Sequence, residues 1–204
     1  MAYSPQARLS LLQVALSSIE YGLRSGSPET VNSQDYSQEL RDSRACFVTL
    51  RKDQSLRGCI GSLEPRGCLV ADVANNAFAA AFRDPRFQKL EANELDFLDI
   101  GISVLGSSQA LAFDSQQTLL DMLRPGQDGL ILQDKTARGT FLPTVWKSIP
   151  QPEEFLNQLK IKAGLTADYW SDTLEVWRYT TESFSAPVSE IRSSNESAVR
   201  TEQG

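Results

Sequence analysis

The chain has 204 residues, of which 41% are hydrophobic and 23% charged, and it carries a net charge of −6 with no histidine. This composition is typical of a soluble globular protein, and the negative charge argues against anionic membranes or broad nucleic-acid binding. The lack of histidine excludes Ser-His-Asp and Cys-His catalysis and removes the commonest zinc ligand. Three cysteines, an odd number and too widely spaced for a zinc-knuckle pattern, predict reduced thiols in the cytoplasm. We also expect no metal and no cofactor.

The first part of the chain predicts a helix and then a hairpin. Apolar residues recur at three- and four-residue steps from Leu9 to Leu23, which is typical of an amphipathic helix, and Gly26 marks its end. Residues 27–43 are polar and predict a surface loop or a short irregular helix. Two strands are expected next, at 45–51 and 56–63.

A four-residue turn, 52–55, would set the pairing of this hairpin. It would pair Leu50 with Arg57 and Val48 with Cys59. Residues two apart in a strand share a face, so we expect Arg57 and Cys59 on the same face whatever the length of the turn.

Beyond the hairpin, helices and strands alternate irregularly. An alanine-rich helix from Cys68 to Arg83 should end at Asp84, because the residue before a proline is pushed out of the helical conformation. The other predicted helices are 118–123, 143–146 and 153–163, and the other strands are 98–105, 129–133, 139–142 and 174–180. Because no regular β-α-β order is present, we predict a mixed α+β fold with a largely antiparallel sheet.

The strand 56–61 is the most unusual segment, since Cys59 lies between two glycines and follows an arginine. Glycine weakens a strand interior, so Gly58 and Gly61 indicate a bulge, a bend or the close approach of another group. Cys59 is a candidate nucleophile, because a neighbouring cation such as Arg57 favours the reactive thiolate. The alternative is a small buried apolar residue, since free cysteine is among the most buried residue types.

Two arginines are candidates for an anion clamp. Arg57 and Arg86 carry planar guanidinium groups, which bind phosphate or carboxylate through two parallel hydrogen bonds. The alternative is ion pairing with the protein's own carboxylates, such as Glu91 or Glu94. Asp84 is most simply a residue that ends its helix, with a role in the site as the other interpretation.

The last part of the chain offers fewer candidates. Lys160 and Lys162 flank the apolar stripe of their helix, and both are expected to extend their ammonium groups to solvent. After Phe184 the chain is rich in serine and charge, which predicts a mobile polar tail over residues 185–204.

Taken in order along the chain, several motifs resemble the AMMECR-type domain, whose prokaryotic form is called AmmeMemoRadiSam system protein A. The resemblance covers residues 8–184, nearly the whole chain. The motifs that carry it include Phe47-Val48-Thr49-Leu50, Leu56-Arg57-Gly58-Cys59-Ile60-Gly61, Asp84-Pro85-Arg86-Phe87 and Lys162-Ala163-Gly164-Leu165.

This resemblance implies a single domain with a larger and a smaller subdomain, and the strand 56–61 near the cleft between them. It also implies a radical SAM protein and a Memo-like protein as partners in a modification pathway that acts on an anionic small molecule or a modified substrate. The residues carried over by the resemblance are Cys59 as a catalytic residue and Arg57, Gly58, Gly61, Asp84, Arg86 and Lys162 as substrate-binding residues.

Two functional hypotheses remain open. In the first, the protein is an enzyme or enzyme subunit that binds an anion beside the strand 56–61. A nucleophilic Cys59 would then need Asp84 or Glu64 as its base, or would rely on Arg57 alone. In the second, the protein is a non-catalytic scaffold or partner, and the glycines of the hairpin admit the alanine-rich helix.

Overall fold

A computed structural model describes the backbone of residues 2–201 and the side chains of residues 2–194. Its helices are α1 (Pro5–Ser25), α2 (Gln38–Arg41), α3 (Leu69–Phe82), α4 (Gln116–Met122), α5 (Pro152–Lys162) and α6 (Val188–Thr201). Its strands are β1 (Cys46–Lys52), β2 (Ser55–Gly61), β3 (Leu98–Leu105), β4 (Gln109–Ala110), β5 (Gly129–Asp134), β6 (Ala137–Phe141), β7 (Glu175–Tyr179) and β8 (Thr181–Pro187). Short 3₁₀ helices occupy Ser33–Asp35, Ala92–Phe97 and Pro143–Lys147. The prediction of a mixed α+β fold with antiparallel strand pairs is confirmed.

The chain divides into two compact units. Unit 1 runs to Val104 and resumes at Glu182, and unit 2 spans Leu105–Thr181. Unit 1 holds a four-stranded sheet of order β2-β1-β3-β8, and unit 2 holds one of order β4-β7-β5-β6. Each unit has an apolar core of its own. No helix in the described part of the chain has the length and apolar character needed to cross a membrane.

Helices α1 and α3 form one side of unit 1. The hydroxyl of Ser4 caps α1 by accepting a hydrogen bond from the Ala7 N–H at 3.1 Å, and Gly26 ends the helix with a φ of 73°. The buried face of α1 packs on α3, and the small alanine side chains of α3 let it approach β1 and β2 closely. The first helix, which the spacing of apolar residues from Leu9 to Leu23 predicted, is therefore confirmed as α1.

The turn of the β1–β2 hairpin is shorter than predicted. Lys52 pairs with Ser55, which leaves Asp53 and Gln54 as a two-residue loop. Both loop residues have positive φ, 50° and 66°, the backbone conformation of a turn that matches the twist of a hairpin.

The pairing of the hairpin also differs from the prediction. Leu50 lies opposite Gly58, whereas Arg51 lies opposite Leu56, so the register shifts by one residue between them. Arg57 is the extra residue of a β-bulge. The predicted pairings of Leu50 with Arg57 and of Val48 with Cys59 are wrong, because a bulge adds a residue that strand alternation does not foresee.

The segment expected to be a mobile tail begins as regular structure. Residues 185–187 belong to β8, and α6 follows from Val188. The side chains of Val188 and Ile191 are fully buried in the core of unit 1, and Arg192 pairs with Glu20 at 2.7 Å. The prediction of a mobile tail is wrong for residues 185–194. Residues 202–204 lie outside the described residues.

The expectation that Lys160 reaches solvent is also wrong. Its side chain is fully buried in unit 2, where Nζ donates to Gln116 Oε1 at 2.7 Å and to the Ala167 carbonyl at 3.2 Å. Burial lowers the pKa of the Lys160 ammonium. These two acceptors satisfy a buried charge that the apolar spacing of α5 does not reveal.

Candidate functional site

The two glycines of the strand 56–61, called here the signature strand, lie against neighbouring backbone. A Cβ atom at Gly58 would overlap the carbonyl oxygen of Ala80 in α3. A Cβ atom at Gly61 would overlap the Cys46 carbonyl and the ring of Phe47. Of the reasons that the sequence offered for these glycines, close approach of another part of the protein explains both.

Cys59 lies half-buried in the middle of the signature strand. Its Sγ is 3.2 Å from the hydroxyl of Thr49, the residue directly opposite on β1. Its backbone N–H donates to Asp84 Oδ2 at 2.9 Å, and its carbonyl accepts from Arg86 Nη2 at 3.3 Å. The segment after α3 therefore holds the peptide backbone of Cys59 from the side opposite β1.

Asp84 and Arg86 form an ion pair. Arg86 donates to the Asp84 carboxylate through Nη2 at 2.6 Å, Nε at 2.9 Å and its own backbone N–H at 3.1 Å. The Asp84 side chain is 1% exposed, whereas that of Arg86 is 55% exposed. These hydrogen bonds, with a further one from the Cys59 N–H, hold the pKa of Asp84 well below its usual range although burial opposes them. Asp84 is thus a charged acceptor that its neighbours already occupy.

Arg57 binds a carboxylate of the protein itself. Its Nε and Nη2 donate to the two oxygens of Glu94 at 3.0 and 2.9 Å, and Lys52 Nζ donates to the same carboxylate at 3.2 Å. The hydrogen bonds from Arg57 lower the pKa of Glu94 to about 2, against the effect of burial. The third guanidinium nitrogen of Arg57, Nη1, is buried and has no hydrogen-bond partner among the described residues.

The contacts of Arg57 and Cys59 lie on opposite sides of the sheet. Lys52 pairs with the buried Leu98 and shares its core-facing side, and Arg57 reaches the same carboxylate as Lys52. Cys59 instead contacts Thr49, on the other side. The prediction that Arg57 and Cys59 share a face is wrong, because the bulge at Arg57 shifts the alternation of side chains by one residue.

Lys162 belongs to unit 2, whereas the other predicted site residues belong to unit 1. It lies on α5, with Nζ 4.9 Å from the centre of the Phe141 ring. The structure thus joins Asp84 and Arg86 to Cys59, and Arg57 to Glu94. Among the residues it describes, it brings no group of three or more potential metal ligands together.

Comparison with known families identifies the chain. A sequence model of the AMMECR1 family matches residues 12–184. The chain belongs to the AMMECR1 family.

AMMECR1 relatives include proteins from archaea and bacteria. A protein from Methanothermobacter thermautotrophicus is 36% identical over 193 residues, which cover 90% of this chain and 98% of that one. A protein from Thermotoga maritima is 36% identical over 150 residues, covering 72% of this chain and 81% of its own. The crystal structure of an uncharacterized protein from Pyrococcus horikoshii superimposes with a TM-score of 0.80 at 32% identity, covering 86% of this chain and 89% of that one.

All the candidate site residues lie within the AMMECR1 match. Sequence reasoning named Glu94 as an alternative partner for Arg57, but it missed the contact of Thr49 with the Cys59 thiol and that of Lys52 with Glu94. The contact of Thr49 with Cys59 depends on the register of the hairpin, and the bulge that sets this register has no sequence signal beyond the glycine next to it. The contact of Lys52 with Glu94 joins residues 42 positions apart in the chain, which local sequence patterns do not relate.

Proposed function

We propose that this AMMECR1-family protein is a non-catalytic binding subunit, which acts in the cytoplasm with a radical SAM protein and a Memo-like protein in a modification pathway. The two partners rest on the family resemblance. The three free cysteines support a reducing compartment.

One observation carries the non-catalytic part of this proposal: carboxylates of the chain itself already pair with both arginines of the signature. Glu94 binds Arg57 through both carboxylate oxygens, and Asp84 binds Arg86. Both signature glycines are explained by close backbone contacts. A signature of this kind maintains the shape of a hairpin without any substrate.

The surroundings of Cys59 also favour a binding role over nucleophilic catalysis. An activated thiol needs a general base or an uncompensated positive charge. Thr49 is not a base, and Asp84 is a poor one because Arg86 and the Cys59 N–H hold its carboxylate in the charged form. The positive charge of Arg57 is balanced by Glu94.

The test is to mix the purified protein with the radical SAM protein and the Memo-like protein of its own organism and to follow modified product by mass spectrometry. We expect the Cys59→Ser variant to support product formation as well as the native protein does, and the Cys46→Ser variant serves as a control at a buried thiol. Loss of product with Cys59→Ser, while the variant stays folded and bound to its partners, would establish the enzyme hypothesis instead.

Anion binding at Arg86 is a second candidate function, favoured by its exposure. More than half of its side chain remains exposed beyond the ion pair with Asp84. A guanidinium can bind a carboxylate on one edge and a phosphate on another. Titration with inorganic phosphate, followed by NMR, should shift the Arg86 side-chain signals at lower concentration than those of Arg124, a similarly exposed and paired arginine in unit 2. Equal responses from both arginines would exclude a specific anion site.

A further inference from the structure

Strand β2 lies at the edge of the sheet in unit 1. Its only neighbour among the described strands is β1, so its outer backbone groups face away from the sheet. An uncovered edge of this kind is a template for pairing with a strand of another molecule. The sequence of β2 adds to this hazard, because Arg57 is its only charged residue and Glu94 already balances that charge.

The side chains of Asp84 and Arg86 occupy the middle of this edge. Cys59 lies opposite Thr49 with its N–H and carbonyl directed away from β1, and these groups bond to Asp84 and Arg86. One acceptor and one donor at the same outward-facing residue are what the next strand of an antiparallel sheet would provide. A carboxylate and a guanidinium here stand where the backbone of a further strand would lie.

Several contacts hold the side chains of Asp84 and Arg86 in place beside β2. The Asp84 carboxylate is buried and accepts bonds from Arg86 as well as from Cys59, so moving it away would leave a buried charge without partners. Pro85, between the two residues, has no N–H of its own to satisfy and fixes one backbone angle.

We propose that Asp84 and Arg86 form an edge guard, which keeps β2 of one molecule from pairing with β2 of a second copy of the chain. The guard forms hydrogen bonds with the N–H and the carbonyl of Cys59, so this donor and this acceptor at the centre of the strand are not available to another strand. Without it, two antiparallel β2 strands would meet about a twofold axis and cover the partly exposed Leu56.

The test compares two double variants by sedimentation velocity over a range of concentrations. Asp84→Ala with Arg86→Ala removes the guard. Arg124→Ala with Asp128→Ala removes a matched pair of unit 2, which also has a buried carboxylate, a half-exposed arginine and a 2.6 Å contact. We expect the guard variant to gain mass with concentration relative to the native protein, whereas the control variant sediments as the native protein does.

Two further measurements separate strand pairing from general unfolding. Hydrogen exchange at the Cys59 amide should accelerate in the dilute guard variant and slow again as it associates. Adding Leu56→Lys should return the guard variant to the native mass, since a lysine on an edge strand opposes pairing. A guard variant that exchanges quickly at Cys59 yet never gains mass, or whose association Leu56→Lys does not reverse, would overturn the proposal.

Discussion

At Gly58 the close approach of α3 to β2 explains why the residue is glycine. The sequence offered a bulge, a bend or a close approach as reasons for a glycine here. The structure shows a bulge at the preceding residue and the Ala80 carbonyl oxygen in the space that a Cβ atom would need. The clash is with backbone, which cannot rotate away as a flexible side chain can. A methyl group at this position must therefore move α3 or β2.

Replacing Gly58 by alanine should destabilise the protein by about 1 to 3 kcal/mol, the usual cost of overpacking. Urea unfolding measures this loss. The control is Gly67→Ala, since a Cβ atom there would come no closer than 3.6 Å to the Asp72 carboxylate. Equal stability of the two variants would contradict the close approach of Ala80.

The ion pairs of Glu94 with Arg57 and Lys52 also lead to a measurable prediction. Glu94→Gln removes the carboxylate that binds Arg57 and Lys52, and we expect a loss of about 2 kcal/mol at neutral pH because hydrogen bonds between charged groups are lost. The exposed Glu175 provides a control as Glu175→Gln.

The loss caused by Glu94→Gln should depend on pH. The pKa of Glu94 is lowered to about 2 in the folded protein, whereas an unfolded glutamate titrates at about 4.3. The stabilising contribution is therefore complete above the unfolded value and disappears as the pH falls toward the folded one. Denaturation series between neutral pH and pH of about 2 should show the two proteins converging, and a constant difference would contradict the ion pair.

At the scale of elements, the hairpin and the last helix show where sequence patterns stop short. Alternation predicted the two strands of the hairpin, but the bulge at Arg57 changed their pairing, and the two-residue turn lengthened the hairpin by the pair Lys52 and Ser55. The apolar spacing of Val188 and Ile191 is too short a pattern to stand out in a serine-rich segment. Their burial becomes visible only when the rest of unit 1 surrounds them.

Because one face of α6 is buried, removing an apolar side chain from that face should lower the free energy of unfolding. Ile191→Ala should destabilise the protein by about 3 kcal/mol, since it deletes a fully buried side chain from the core of unit 1. Ser189→Ala, on the exposed side of the same helix, should change stability by less than about 0.5 kcal/mol. Thermal unfolding of both variants tests this, and equal values would restore the interpretation of this segment as a tail.

At the scale of the whole molecule, two separate cores govern stability. Leu16 belongs to the core of unit 1 and Leu159 to that of unit 2, and both are buried. Local opening of a protein follows such cooperative units. A cavity in one core should therefore destabilise the strands and helices of its own unit first.

Hydrogen exchange of two cavity variants tests this division. Leu159→Ala should accelerate amide exchange in β5, β6 and β7, and Leu16→Ala should do so in β1 and β3. The native protein provides the reference for each segment. If either variant accelerates exchange equally throughout the described residues, the cores are not separate cooperative units.

The sequence alone determined the class of fold, most elements, the family and the segments around the candidate site. It could do so because these depend on local periodicity, on glycine and proline, and on ordered motifs. Tertiary structure decided that Arg57 and Cys59 contact opposite sides of the sheet, that Asp84 and Arg86 occupy the edge of β2, and that Lys160 is buried. These outcomes depend on a bulge and on contacts between residues distant in the chain, and the spacing of residues in a sequence does not specify either.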